Sequence, residues 1–260
     1  MAFHGKVALV TGAASGMGRI SARRLAEMGA EVAALDLNES GLEETAEGHG
    51  SIHGYVCDVS NEGGVAHVVG LVESELGPID RVTHAAAIMP ASPLAAMPTG
   101  EVLRLMRVNY DGTVNVTLAT LPSMLERRSG DLILYGSLAG HVLTPHLGAY
   151  CATKAAINAF AEVLIRENEG SGLRFLLVCP PMVDTPLLEQ AKQSSNPRSV
   201  QLGLEQGRAA DPNFVVDSIE EALEKGQRIL FPGREAKVLF ALRRFAPSLL
   251  WKIILKAESS

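Results

Sequence analysis

The chain has 260 residues, of which 47% are hydrophobic and 20% charged, and its formal net charge is -6. This length fits one large α/β domain or two small ones, and we favour one; the composition is neither disordered nor fibrous. The negative charge, with no basic stripe interleaved with aromatic residues in the first 230 positions, argues against nucleic-acid binding.

The cysteines and the N-terminus indicate a cytoplasmic protein. Cys57, Cys151 and Cys179 lie far apart, which is neither a disulfide framework nor a metal-ligand spacing, so no metal site is predicted. The N-terminus enters a strand-like run directly, without the charged flank, apolar stretch and cleavage site of a secretion signal.

Short apolar runs alternate with helical patterns along most of the chain. Such runs predict strands buried on both faces, and the helices between them predict a parallel arrangement. We therefore expect a doubly wound α/β domain with a seven-stranded, mainly parallel sheet and helices on both faces. The predicted strands are Lys6–Thr11, Glu31–Asp36, Ser51–Asp58, Ile79–Ala86, Asp131–Gly136, Leu173–Cys179 and Arg228–Phe231.

Residues 186–213 depart from this alternation. Their centre reads Ser194-Ser195-Asn196-Pro197-Arg198, a composition typical of loops. A long loop inside a compact domain is uncommon and is usually functional or disordered. We predict a mobile substrate loop here, with a merely disordered crossover as the alternative.

A glycine-rich turn follows the first strand and opens the first helix. It contains Gly12, Ser15, Gly16, Met17 and Gly18, in the spacing Gly-x-x-x-Gly-x-Gly. Backbone N–H groups and the positive helix end at such a turn can hold a pyrophosphate. A plain tight turn of small residues is the alternative.

Asp36 ends the second predicted strand, 18 residues after Gly18. A carboxylate at this place can accept hydrogen bonds from an adenosine ribose and would repel a 2′-phosphate. Ser15 stands where an arginine or lysine could have stabilised that phosphate, and the direction of the nearest cation, Arg19, is open. We therefore favour NAD over NADP, although Asp36 could instead cap a helix or a strand end.

Tyr150 and Lys154 are four residues apart in a predicted helix, which places a phenol and an ammonium on one face. A tyrosine ordinarily titrates near pH ~10, and a positive charge nearby favours its phenolate, so the pair could exchange a proton with a substrate. Taken alone, such a pair more often belongs to an ordinary solvated helix face.

Together with the glycine turn and Asp36, the motif Tyr150-x-x-x-Lys154 resembles the classical short-chain dehydrogenase/reductase family, from about Lys6 to Thr185. The resemblance implies a single Rossmann-like domain over residues 1–233. It also implies that Ser137 binds the substrate oxygen, that Tyr150 transfers the proton and that Lys154 binds the nicotinamide ribose while lowering the tyrosine pKa. Asn109 is similar to the family asparagine that supports a water relay, or is a polar residue that breaks a helix.

The resemblance assigns further residues to the cofactor. It places Asp58 and Val59 beside the adenine ring, Ala86 after the fourth strand, and the stretch with Pro180, Val183 and Thr185 near the nicotinamide. Two departures stand out. His84 to Ala87 replace an asparagine- and glycine-containing segment, where His84 is a structural residue in our interpretation, and Pro181 replaces a glycine.

These residues predict an enzyme that transfers a hydride between NAD(H) and a secondary alcohol or ketone. Apolar positions expected near the pocket favour a lipophilic substrate, but they could equally be core. One alternative is a catalytically silent nucleotide-binding regulatory or scaffold protein, and another is a peripheral membrane protein that uses its C-terminal tail. The resemblance also suggests a homodimer or homotetramer.

Residues 234–260 form a basic, apolar extension on an acidic body. Between 234 and 256 they carry six lysine and arginine residues among many apolar ones, divided at Pro247. The charges leave no stretch long enough to span a membrane. An amphipathic basic segment could lie on an anionic membrane, or instead pack on a partner subunit or over the pocket.

Overall fold

The computed structural model describes residues 3–259. Three residues lie outside this range: Met1 and Ala2, which begin the predicted domain over residues 1–233, and Ser260, which ends the predicted extension over residues 234–260. The predicted absence of a secretion signal therefore falls partly outside the described residues as well.

Within residues 3–259, seven strands form one sheet in which every neighbouring pair is parallel. They are β1 (Val7–Thr11), β2 (Glu31–Asp36), β3 (Ile52–Val56), β4 (Arg81–His84), β5 (Asp131–Tyr135), β6 (Arg174–Val178) and β7 (Ile229–Leu230). Their order across the sheet is β3-β2-β1-β4-β5-β6-β7. Each lies inside a predicted run, so the predicted Rossmann-like fold is confirmed.

Helices connect the strands. They are α1 (Gly16–Glu27), α2 (Glu39–Ala46), α3 (Glu62–Glu75), α4 (Thr99–Met106), α5 (Gly112–Arg127), α6 (Gly148–Glu167), α7 (Pro186–Ser194), α8 (Arg198–Glu205), α9 (Pro212–Glu224), α10 (Gly233–Phe245) and α11 (Pro247–Ser259). A π-helical turn over Arg107–Asp111 joins α4 to α5, and a 3-10 turn covers Leu138–Gly140. No helix in the described part of the chain is long and apolar enough to cross a membrane.

Helices cover both faces of the sheet because successive strand side chains point to opposite sides. In β1, Leu9 packs in a core with residues of α3, α5 and α6, whereas Ala8 and Val10 pack with Ala22 and Leu25 of α1. Both faces are therefore buried, as the continuous apolar runs predict.

The strand order reverses at β1, which lies between β2 and β4. The connections from β1 and β4 leave the sheet in opposite directions, and the carboxyl ends of the two strands border a crevice between them. The glycine turn, Asp36 and the segment after β4 all follow strand ends at this edge, which brings the predicted cofactor residues together.

The expected loop over residues 186–213 is wrong as a secondary-structure prediction. Most of it forms α7 and α8, followed by the start of α9. Leu188, Ala191 and Val200 are buried in a core that also contains Tyr150. The Ser-Ser-Asn-Pro sequence spans only the break between two helices, and apolar residues on either side supply enough burial to fold them.

The C-terminal extension folds as two helices rather than one. A single residue, Ala246, separates the end of α10 from Pro247 at the start of α11, because proline lacks the N–H that would continue α10. The two helices contact each other, and α11 also contacts α8. The extension is therefore packed on the body of the protein.

Candidate active site

The glycine turn is built by close backbone contacts. Gly12 has a φ of +67°, and a Cβ there would lie 2.8 Å from the backbone nitrogen of Ala86. A Cβ on Gly18 would lie 2.1 Å from the backbone oxygen of Gly12. Only glycine fits both places, so the turn can bring its backbone close to a ligand at the start of α1.

An open cleft of about 990 Å³, including its mouth, lies over this turn. Ten of the predicted cofactor residues line it, namely Gly12, Ser15, Gly16, Met17, Gly18, Asp36, Asp58, Val59, Ala86 and Thr185. Sequence reasoning missed Leu37, Ala85, Ala87, Ile88, Val108 and Gln190, which also line the cleft and carry no distinctive signal in the sequence.

Pro180 and Val183 are absent from the cleft wall that the described residues form. Both are buried: the oxygen of Pro180 accepts a hydrogen bond from the nitrogen of Leu138 at 2.9 Å, and Val183 pairs with Ala210. They hold the connection between β6 and α7 beside the Ser137 segment rather than facing the cleft.

Asp36 is held at the edge of the cleft. Its Oδ2 accepts a hydrogen bond from the nitrogen of Ala14 at 3.1 Å, and its Oδ1 accepts one from the nitrogen of Asn38 at 3.0 Å. The cap of α2 is Asn38, so Asp36 is not the capping residue. These bonds fix the carboxylate beside the glycine turn.

Arg19 offers no free cation to the cleft, because protein groups already bind its guanidinium. Its guanidinium donates to Oε2 of Glu44 at 2.9 Å and to Oγ1 of Thr45 at 3.1 Å, and it also contacts the oxygen of Ala14. This settles the direction that the sequence leaves open, because the cation is already engaged by protein groups.

Asp58 and Val59 shape the wall opposite α2. Oδ1 of Asp58 accepts hydrogen bonds from the nitrogen and the hydroxyl of Ser60, at 2.9 and 2.7 Å. The oxygen of Val59 accepts one from Nδ2 of Asn115 at 2.9 Å, and Val59 packs so closely on Gly112 that a Cβ there would clash. Both residues are therefore fixed by turns and by α5.

Asn109 lies in the π-helical turn between α4 and α5 and is fully buried. Its Oδ1 accepts a hydrogen bond from the nitrogen of Ile88 at 2.8 Å, and its Nδ2 donates to the oxygen of Ile88 and to Oγ1 of Thr153, both at 3.0 Å. π-Helical turns inside α-helices often occur at functional sites. Here the turn lets Asn109 join the segment after β4 to α6.

Ser137, Tyr150 and Lys154 come together at the carboxyl end of β5, and all three are buried. Ser137 precedes the 3-10 turn, and its side chain lies close enough to Tyr150 to influence the pKa of the phenol. Nζ of Lys154 lies 5.7 Å from the centre of the Tyr150 ring and donates to the oxygen of Tyr135 at 2.8 Å. The phenol and the amine thus lie on one face of α6, as their spacing predicts, and the serine lies beside them, where the resemblance places it.

Burial governs the charges in this cluster. It raises the pKa of Tyr150 above the ordinary value of 10.0, and the influence of the Ser137 side chain opposes that shift. It lowers the pKa of Lys154 to about 8. The net shift of the tyrosine pKa is therefore upward, opposite to the lowering by Lys154 that the resemblance implies, because burial destabilises the phenolate.

His84 ends β4 and is buried. Its Nδ1 is 2.8 Å from Oγ1 of Thr11, while its Nε2 has no hydrogen-bond partner among the described residues. Burial, helped by the charge of Lys154, lowers the pKa of His84 to about 3. A neutral imidazole bound to the neighbouring strand agrees with a structural role for this residue.

Asn158 is a site residue that sequence reasoning missed. Its Nδ2 donates to the oxygen of Ser137 at 3.0 Å, and its Oδ1 accepts from the nitrogen of Ser137 at 3.3 Å. A Cβ on Gly136 or Gly140 would overlap the Asn158 amide, so both glycines make room for it. A signal was present, since Tyr150, Lys154 and Asn158 share a spacing of four along α6.

The expected substrate region is mainly apolar. Met89, Leu147 and Leu188 pack in one cluster with Tyr150. Two histidines near this region already have contacts: Nδ1 of His146 is 2.6 Å from Oγ of Ser195, and the His141 ring packs 4.9 Å from that of Phe240. Across the described residues, no cluster of histidine, cysteine or acidic side chains could hold a metal ion.

Comparison with known proteins agrees with this geometry. The profile of the short chain dehydrogenase family matches residues 6–196. Estradiol 17-beta-dehydrogenase 11 of Homo sapiens is 28% identical over 250 residues, covering 94% of this chain and 80% of that protein. The 17-beta-hydroxysteroid dehydrogenase 13 of Mus musculus is 34% identical over 189 residues, covering 70% of this chain and 62% of the relative.

Solved structures share the fold. A short chain dehydrogenase/reductase from Burkholderia phymatum in complex with NAD superposes with a TM-score of 0.84, at 24% identity and 96% coverage of both chains. An actinorhodin polyketide ketoreductase with NADPH gives a TM-score of 0.79, at 26% identity, covering 87% of this chain and 95% of that one. With a family profile matching most of its length, this chain belongs to the short-chain dehydrogenase family of oxidoreductases.

Proposed function

We propose that the protein transfers a hydride between NAD(H) and a lipophilic secondary alcohol or ketone, with Tyr150 as the general acid and base. The observation that supports this most is the buried cluster of Ser137, Tyr150 and Lys154 at the carboxyl end of β5. A buried acid and base beside a fixed hydroxyl is what a carbonyl reduction requires of the protein.

The nucleotide fits the residues present. Gly12 and Gly18 have no Cβ, so the backbone of the turn stays accessible where a side chain would otherwise fill it. Asp36 presents a fixed carboxylate at the edge of the cleft. The bound nicotinamide would supply or accept the hydride. Glycine-turn amides would hold its pyrophosphate, and Asp36 would accept from its adenosine ribose.

The proton steps follow from the cluster. With its pKa raised by burial, Tyr150 is a neutral phenol and can donate its proton to a ketone oxygen that is becoming an alkoxide. The Ser137 hydroxyl would stabilise the charge developing on that oxygen. Lys154, whose Nζ lies 5.7 Å from the centre of the Tyr150 ring, would bind the ribose beside it.

Two observations support NAD rather than NADP. The carboxylate of Asp36 would repel a 2′-phosphate, and the nearby Arg19 is paired with Glu44 and cannot offset that repulsion without losing its partners. Comparing kcat/KM for the two nucleotides would test the preference directly.

The apolar surroundings of Tyr150 support a lipophilic substrate. Relatives bear the names of dehydrogenases of estradiol, 17-beta-hydroxysteroids and retinol, which are lipophilic alcohols. We would screen NADH formation over secondary alcohols of graded size and polarity, steroid-like and terpenoid ones included. Faster turnover of small polar alcohols would contradict this part of the proposal.

Tyr150→Phe tests the mechanism. Removing the hydroxyl takes away the proton donor, so we expect turnover to fall at least ~100-fold, the usual scale of general acid/base catalysis, while NAD still binds. Tyr55→Phe, which removes a hydroxyl bound to Glu75 at the sheet edge, is the matched control. Unchanged turnover in Tyr150→Phe would refute the assignment.

A catalytically silent nucleotide-binding protein is the second candidate. It is favoured by the altered segment from His84 to Ala87, in which one nitrogen of a buried histidine has no partner among the described residues. NAD binding by calorimetry without turnover of any alcohol or ketone in the panel would support it.

Assembly as a homodimer or homotetramer and a cytoplasmic location are further proposals. Leu103, Leu118 and Val163 are exposed on α4, α5 and α6 and could be covered by another copy. Cys57, Cys151 and Cys179 are buried and unpaired, which suits a reducing compartment. Light scattering of the purified chain would give the assembly size.

A further inference from the structure

The two C-terminal helices carry charge opposite to that of the rest of the protein. Residues 233–259 contain six lysine and arginine residues and two glutamates, a net charge of +4. Because the whole chain carries -6, the remainder carries -10. The cations exposed on the surface include Arg234, Lys237, Arg244 and Lys252.

The outward side of α10 combines these cations with large apolar side chains. Ala236 is buried and Phe240 half-buried, so they mark the inward side. Val238 and Phe245 are 64% and 80% exposed and are seven residues apart, which places them on one side of the helix. Lys237 and Arg244 are also seven apart and border that row.

The outward side of α11 has the same character. Leu250 is buried and Ile254 half-buried, while Leu249, Lys252 and Ile253 are exposed. The oxygen Oε1 of Glu258 accepts a hydrogen bond from the nitrogen of Ser199 in α8 at 3.1 Å. Both helices are thus packed through their inner sides and still present apolar side chains to solvent. We call this surface, formed by Val238, Phe245, Leu249, Ile253 and the cations beside them, the outer face.

The outer face belongs to helices that adjoin the substrate region. The ring of Phe240 lies 4.9 Å from that of His141, which follows the 3-10 turn after Ser137. On the other side, α11 contacts α8, whose Val200 shares a core with Tyr150. The two helices therefore adjoin the substrate region at two places, α10 at His141 and α11 at α8.

We propose that the outer face binds an anionic membrane surface. Apolar side chains would enter the boundary between headgroups and acyl chains, and the surrounding cations would meet the lipid phosphates. An acidic surface on a second copy would neutralise the positive charge but would not bury the protruding Phe245 and Val238. A bilayer with anionic headgroups would do both. The binding is independent of the proposed function; if that function holds, binding brings the site close to lipophilic substrates.

Vesicle sedimentation of the full chain tests this proposal. We expect the protein to pellet with vesicles that contain phosphatidylserine, to pellet far less with phosphatidylcholine alone, and to be released by salt. Reversing either charge, as in Lys237→Glu or Arg244→Glu, should weaken binding by about fivefold or more, the scale for one cation near such a surface. Val238→Ser with Phe245→Ser should weaken it about tenfold.

Matched controls separate this face from the general surface. Val56→Ser changes a valine that is 54% exposed on β3, and Lys225→Glu changes an exposed lysine directly after α9. Both should bind like the unaltered protein. Tyr150→Phe should also pellet normally, so loss of catalysis and loss of membrane binding are distinguishable.

Three results would overturn the proposal. The first is no pelleting with phosphatidylserine vesicles, and the second is equal loss in the controls and the outer-face variants. The third is salt-sensitive self-association without vesicles that Arg244→Glu abolishes, measured by light scattering, which would assign the face to a second copy.

Discussion

Replacing Asn158 by alanine tests whether the active-site serine is held by α6. In the structure the Asn158 side chain hydrogen-bonds the backbone nitrogen and oxygen of Ser137. It fits closely against Gly136 and Gly140, where a Cβ would overlap its amide. The variant would remove both hydrogen bonds and leave a small buried cavity. We expect a loss of stability together with a loss of turnover.

The size of the effect follows from the bonds lost. The nitrogen of Ser137 would lose its partner, which costs about 1–3 kcal/mol for a buried donor. Its oxygen still accepts from the nitrogen of Gly140 at 3.1 Å, so losing the second bond there costs about 0.5–1.5 kcal/mol. We therefore expect the free energy of unfolding to fall by about 2–4 kcal/mol, at the low end if water enters the cavity.

Urea unfolding and steady-state kinetics would measure both effects. Because the glycine turn lies elsewhere, kcat should fall while the KM for NAD stays close to its original value. Asn115→Ala is the control, since that half-buried side chain makes one bond to the oxygen of Val59 and should cost about 1 kcal/mol without changing kcat. An Asn158→Ala protein as stable and active as the original would refute the reasoning.

Other predictions concern the cofactor, the amine and the turn. Asp36→Asn keeps a side-chain oxygen as an acceptor but removes the charge, so the NAD:NADP ratio of kcat/KM should fall about tenfold or more, and an unchanged ratio would contradict the repulsion argument. The pKa of Lys154 falls from 10.5 to about 8 on folding, because the charged amine is costly to bury. As the pH rises between those values, the folded protein loses this proton while the unfolded chain keeps it, so the cost of burial disappears. Stability relative to Lys154→Met should therefore increase by up to about 1.4 kcal/mol per pH unit between pH ~8 and ~10, and a flat difference in urea unfolding would count against the shift. Gly18→Ala should lower the melting temperature and NAD affinity, because its Cβ would meet the oxygen of Gly12, whereas Gly70→Ala in α3, with nothing within 4 Å, should be neutral or stabilising.

Local patterns were enough to predict the sheet and the glycine turn at its edge. The strands are continuous apolar runs because both faces of a parallel sheet are covered, and this needs no knowledge of contacts. The same patterns failed at residues 186–205, where a polar Ser-Ser-Asn-Pro break obscured two helices whose stability comes from burial of Leu188, Ala191 and Val200. Burial of that kind depends on distant residues such as Met89 and Tyr150.

The sequence by itself determined which chemical groups are available and in what order: a glycine turn, a carboxylate after β2, and a phenol four residues before an amine. Tertiary structure decided how those groups are held and charged. It placed Asn158 against Ser137, directed Lys154 to the oxygen of Tyr135, and raised the pKa of Tyr150. The physical reason is that spacing fixes which side chains share a helix face, whereas desolvation and hydrogen-bond partners come from whichever elements the fold packs around them.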